Sequence, residues 1–175
     1  MNITYSKVQL EVKGLSEELA KSDSLVPSVF QNIKIGLFPA AIYFLFYIAC
    51  MYTDVYIKTI WQGLGIISIF FWAFVTLFIS GYIQLFSMLP KDAVKRYEIV
   101  RIYTKKLKVY YLLWITSIVI AGFVAVFSML NIIALAGISL LSTIFIALVF
   151  NLDISRFQLA GLLGVLSAAK NNLNR

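Results

Sequence analysis

Histidine is absent from this chain of 175 residues, cysteine occurs once, at Cys50, and proline three times, at Pro27, Pro39 and Pro90. Without histidine there is no imidazole relay working near neutral pH and no zinc site of the usual kinds. A lone cysteine forms no intrachain disulfide. Charge is scarce as well. Only 13% of residues are charged and 61% are hydrophobic, against about a quarter and about half in a soluble domain. Too little polar surface is available to cover a water-soluble globule, so the composition is that of an integral membrane protein. The absences disfavour an enzyme, and no catalytic, cofactor-binding or metal site is expected.

Three stretches carry no Asp, Glu, Lys or Arg: residues 35–53, 59–90 and 109–152, of 19, 32 and 44 residues. A spanning helix needs about 20 apolar residues to cross a hydrocarbon core of about 30 Å. The first stretch is one span, at 35–53. The second is one long or tilted span, at 59–82, leaving the membrane near Gly81–Gln84. The third would be about 66 Å long as a single helix, roughly twice the bilayer, and has to fold back. Ser128, Met129, Leu130 and Asn131 form its most turn-like point, which gives spans at 109–127 and 132–150. The expected fold is an all-α membrane protein with four transmembrane helices in a single membrane domain.

Lysine and arginine in short flanks set orientation. Residues 91–108 hold seven of the fifteen, residues 1–34 hold Lys7, Lys13, Lys21 and Lys34, and the tail at 151–175 holds Arg156, Lys170 and Arg175. The other side has Lys58 alone. Fourteen against one places both termini and the middle loop in the cytoplasm. Tyr52, Tyr56 and Trp61 then read as an outer aromatic belt, and Tyr110, Tyr111 and Trp114 as an inner one. The first 31 residues mix Lys7, Glu11, Lys13, Glu17, Glu18, Lys21 and Asp23, so they do not resemble a cleavable signal. The first span is read as an uncleaved anchor.

The cytoplasmic pieces carry helical patterns. Val8, Val12, Leu15 and Leu19 share one face of an N-terminal helix, with Gly14 as an expected break, Ser16 as a cap, and Ser24 and Pro27 opening the next helix. In the middle segment, Ala93, Tyr97, Val100, Thr104 and Leu107 form a narrow apolar face among Lys and Arg. This is a basic amphipathic helix, suited to anionic lipid headgroups or to a partner. Direct nucleic-acid binding is not expected, because no base-stacking platform accompanies the charge. Asp153 and Arg156 share a helix face and read as a boundary pair fixing the depth of the last span. Small residues such as Gly63, Gly65, Ala121, Gly122 and Gly137 suit close helix packing, and a homo-oligomer is possible. No carboxylate or basic group sits mid-membrane and no matched pair of broken helices occurs, so a transporter loses ground.

Two strings suggest a family. Val26-Pro27-Ser28-Val29-Phe30-Gln31-Asn32-Ile33-Lys34, leading into the first span, resembles the corresponding segment of the TraS proteins of F-like conjugative plasmids. Phe150-Asn151-Leu152-Asp153-Ile154-Ser155-Arg156-Phe157-Gln158-Leu159, leaving the last span, resembles a TraS segment with Phe-Asn, an Asp, an Arg and Gln-Leu at the same spacing. The resemblance implies plasmid entry exclusion: a recipient's inner-membrane protein recognises the donor's TraG, a mating-pair stabilisation protein, and blocks redundant DNA transfer without catalysis. It assigns a role to no individual residue. The alternatives are an immunity protein against a membrane-active toxin and a small transporter or channel subunit.

Lipid-facing surfaces discriminate partners poorly, whereas placed charges discriminate well. The candidate partner- or lipid-contacting residues are therefore Lys13, Glu17, Glu18 and Lys21 in the N-terminal arm, and Lys95, Arg96, Arg101, Lys105 and Lys106 in the middle helix.

Overall fold

Each charge-free stretch becomes helix, because backbone groups in hydrocarbon have to bond within their own segment. The computed structural model describes residues 4–20, 29–87 and 92–173. In chain order the helices are α1 (Tyr5–Ala20), α2 (Val29–Ala49, closed by a 3-10 turn at Cys50–Tyr52), α3 (Lys58–Ser87), the short α4 (Ala93–Arg96), α5 (Glu98–Phe127) and α6 (Asn131–Leu173). No strand occurs among the described residues. Four segments are long and apolar enough to cross a membrane: Ile33–Tyr52, Lys58–Gly81, Glu98–Phe127 and Asn131–Ser155. The chain is an all-α membrane protein.

Several local expectations change in detail. Gly14 does not break α1, which runs through it as one helix; the apolar face on either side is continuous, and its burial outweighs the ~1 kcal/mol cost of a helical glycine. Ser24 and Pro27 lie outside the described residues. The middle segment is not one helix. Tyr97 adopts an extended conformation between α4 and α5, and α5 then continues without interruption into the third span. The chain does reverse at Ser128–Leu130, and α6 starts at Asn131 with φ 45°, a left-handed conformation that asparagine tolerates better than most residues.

The helices sort into two compact units. One comprises Met1–Leu25, Leu89–Tyr110 and Ala147–Arg175; the other comprises Val26–Met88 and Tyr111–Ile146. In the second, the interior is built from Ala40, Tyr43 and Tyr47 of α2, Trp72 and Val75 of α3, Trp114, Ile118, Ala121 and Ala125 of α5, and Ile132 and Leu135 of α6. Phe70, Phe74, Leu112 and Phe145 remain exposed, as an apolar lipid-facing surface requires and a soluble surface rarely shows.

Close approach within this bundle depends on missing side chains. A Cβ on Gly36 would lie 2.9 Å from the Cα of Thr76, and a Cβ on Gly122 would lie 2.2 Å from the ring of Phe46. Pro39 removes the N–H that would serve the Ile35 carbonyl four residues earlier. The Tyr111 hydroxyl donates to that carbonyl at 2.7 Å, so a helix defect in α2 is repaired from α5. At the other end of α2, Tyr47 Oη donates to the Trp61 carbonyl at 2.8 Å and Trp61 Nε1 donates to the Tyr47 carbonyl at 3.1 Å. The two tryptophans expected in interfacial belts therefore serve the bundle itself. Trp114 is buried, with Nε1 donating to Thr143 Oγ1 at 2.8 Å, and Trp61 is latched to Tyr47. An indole N–H that finds a partner inside the bundle does not need the headgroup region.

Candidate functional site

Charge is concentrated in the first unit, and its geometry starts with the apolar face of α1. Val8 is buried against Ala93, Ile99, Val100 and Ile102, with Val12, Leu15, Tyr97 and Tyr103 packed around them. The face that reads in sequence as a surface for lipid or a partner is thus covered, near its start, by α1 of the same chain. Polar contacts line the edge of this apolar seam. Glu11 Oε2 accepts the backbone N–H of Ile99 at 2.8 Å. Ile99 is the second residue of α5, where N–H groups have no partner within the helix and a carboxylate is favoured by the helix dipole. Glu18 accepts from Arg96 Nη1 at 2.6 Å and from Tyr97 Oη at 3.1 Å. Lys7 pairs with Glu98.

These contacts displace proton affinities in the directions expected. The Lys7 ammonium is held above its ordinary range by the hydrogen bond to Glu98 and by that carboxylate's charge. The Tyr97 phenol is pushed up by loss of water and by Glu18, which accepts the proton that ionisation would remove.

The structure divides the residues singled out in sequence. Glu18 and Arg96, 78 positions apart, meet each other. Arg101 reaches Glu98 at 3.8 Å. Lys106 pairs with Asp153, and Tyr110 Oη donates to the same carboxylate oxygen at 3.2 Å while its ring meets Phe150 at 5.4 Å. Lys13, Glu17, Lys95 and Lys105 are exposed; among the described residues, Glu17, Lys95 and Lys105 make no ion pair. Lys21 and the side chain of Arg156 lie outside the described residues, and with Arg156 lies the expected pair with Asp153. Lys7, Glu11 and Glu98 were not singled out in sequence, yet they hold the seam. Glu11, one position before Val12 at the edge of the α1 stripe, was the readable signal.

In the second unit, Asn131 ties the two connections together. Its Nδ2 donates to Thr53 Oγ1 and to the Cys50 carbonyl, and its Oδ1 accepts the N–H of Ile132. Beside it lies a shallow cleft of about 290 Å³, lined by Thr53, Asp54, Phe127 and Ser128 and rimmed by the exposed Tyr52 and Met129. Among the described residues, no group of three His, Cys, Asp or Glu could hold a metal ion. The arrangement suits binding through placed charges and exposed apolar side chains.

Comparison with known proteins gives one full-length likeness. The chain is 25% identical over 172 residues to Protein TraS of Escherichia coli (strain K12), covering 97% of this chain and 95% of that protein. No family model and no solved structure matches. The likeness first visible in two short strings thus extends over nearly all of the chain.

Proposed function

We propose that this chain mediates entry exclusion in conjugation from the recipient's inner membrane, recognising a TraG-type protein of the donor without catalysis. The observation that carries this reading is the full-length similarity to TraS, joined to a four-helix membrane layout. Exclusion by recognition asks for a stable scaffold and a charged surface, and does not require a pocket for chemistry. Glu17 and Lys95, exposed members of the candidate set that make no ion pair among the described residues, are the readers, whereas Glu18, Arg96 and Lys106 take part in internal pairs. The fourteen-to-one distribution of Lys and Arg supports placing both termini in the cytoplasm.

A mating assay tests this directly. With the chain expressed in a recipient, transconjugants from a donor carrying the matching plasmid should fall by orders of magnitude, and those from an unrelated donor should not. Equal frequencies from both donors, with the protein present in the membrane, would remove exclusion as the function. A Glu17→Lys/Lys95→Glu variant should lose preference for its donor while keeping normal membrane levels.

A further inference from the structure

The charges of the first unit separate into two sets once their contacts are traced. Its described carboxylates are largely engaged. Glu11 holds the Ile99 N–H, Glu18 holds Arg96 and Tyr97, Glu98 holds Lys7, and Asp153 holds Lys106 and Tyr110. Lys105 and Lys108 are exposed and, among the described residues, reach no carboxylate. Arg101 is exposed and touches Glu98 only at 3.8 Å, a surface contact of small weight to a carboxylate that Lys7 already occupies.

Arg101, Lys105 and Lys108 follow one another at i, i+4 and i+7 on the unbroken α5, so they form a single stripe about 10 Å long. The opposite face of the same turns carries Ile99, Tyr103, Lys106 and Tyr110, which are buried or partly buried. Among the described residues, the stripe therefore takes little part in the ion pairs that hold the unit. It stops at Lys108, where the longest charge-free stretch of the sequence begins, and the next residue, Val109, is apolar and exposed. Cations placed where a charge-free stretch begins are suited to headgroup depth, with flexible stems that let each charge reach a phosphate.

We infer that Arg101, Lys105 and Lys108 form a binding site for the phosphate of an anionic phospholipid headgroup. The position of the stripe against the start of a span selects lipid as the occupant. This reading stands apart from exclusion and does not depend on it, so either can fail alone.

The test uses the full chain in mixed micelles of phosphatidylcholine and phosphatidylglycerol, with the ratio of the two lipids retained read by native mass spectrometry. The parent should retain phosphatidylglycerol preferentially, and the preference should weaken as salt rises. Each of Arg101→Gln, Lys105→Gln and Lys108→Gln should reduce the ratio about five-fold, and the triple variant on the order of 100-fold. Lys105→Arg/Lys108→Arg should preserve it. If the triple variant does not fold, the single variants decide the matter. An unchanged ratio in the glutamine variants overturns the assignment. An equal loss from Lys95→Gln, on the separate helix α4, overturns it too, because charge would then act diffusely. So would an unchanged lipid ratio together with altered donor preference in mating, which would make the stripe a reader of protein.

Discussion

The two units of this chain are held together by different means. In the first, an apolar seam between α1 and the α4–α5 segment is edged by three carboxylates of opposite ancestry in the sequence: Glu11 and Glu18 reach forward, and Glu98 reaches back to Lys7. In the second, no charged residue is buried among those described. Its helices meet at glycine notches, at aromatic contacts such as Trp72 with Trp114 at 5.7 Å, and at hydrogen bonds from Tyr43, Tyr111 and Trp114. The contrast follows from the solvent. Where water reaches them, burying Val8, Ile99 and Val100 is itself favourable, and ion pairs at the margin select register. In lipid, hydrocarbon gains nothing by leaving hydrocarbon, so shape and hydrogen bonds decide which helices associate.

The largest effect is expected from a test of which side of the membrane Lys58 and Lys95 face. In a Cys50→Ala background, Lys58→Cys should be labelled by an impermeant thiol reagent in intact cells and Lys95→Cys should not. Labelling at Lys95 would invert the topology drawn from the charge asymmetry. Cys50 is itself fully buried, so its replacement should not alter the pattern.

Packing in the second unit provides the next largest effect. Gly36→Leu would press against the backbone of Thr76, which cannot turn aside as a side chain can. A loss of about 1–3 kcal/mol or more is expected from overpacking, read as a lower Tm in detergent. Gly63→Leu, at a position whose Cβ meets nothing within 4 Å, should cost far less. Similar losses at both positions would mean that the α2–α3 approach is not set by Gly36.

Tyr111→Phe should cost about 1 kcal/mol, because it strands the Ile35 carbonyl that Pro39 has released. The same substitution in a Pro39→Ala background should cost less, since residue 39 would then supply its own N–H. A cost unchanged between the two backgrounds would show that Tyr111 contributes by packing alone.

The smallest effect belongs to the first unit. The Lys7 pKa is raised above its ordinary 10.5 by Glu98. Its contribution is therefore complete below that pH and is lost as pH climbs through the higher folded value. The distance between spin labels at Leu10→Cys and Lys105→Cys, in the Cys50→Ala background, should hold steady from neutral pH to about 10 and broaden above it. Lys7→Gln should remove that alkaline transition. If the broadening persists in the variant, another group governs the docking of α1.

How much of this was readable beforehand depended on the kind of residue. The number of long apolar helices and the reversal at Ser128–Leu130 were legible because a membrane imposes a length rule on uncharged sequence. The docking face of α1 was legible at Val8, Val12 and Leu15 through their spacing. What covers the middle segment was not legible, because a basic helix with an apolar stripe looks the same whether it faces lipid, a partner or its own N-terminal arm. The same holds for Trp114, whose ring suits an interface as well as a bundle interior.

Sequence alone determined the character of each segment: how many stretches are long and apolar enough to cross a membrane, and where charge gathers. Those are properties of single residues summed over windows, and they need no neighbours. Only the tertiary structure decided the pairs. It set Glu18 against Arg96 across 78 positions, Lys106 against Asp153 across 47, and Tyr111 against the carbonyl released by Pro39 across 76. Pairing depends on which helix faces meet and at what depth, and many faces of similar hydropathy could meet. By engaging some charges and leaving Arg101, Lys105 and Lys108 turned outward, the fold also decided which cations remain to bind something else.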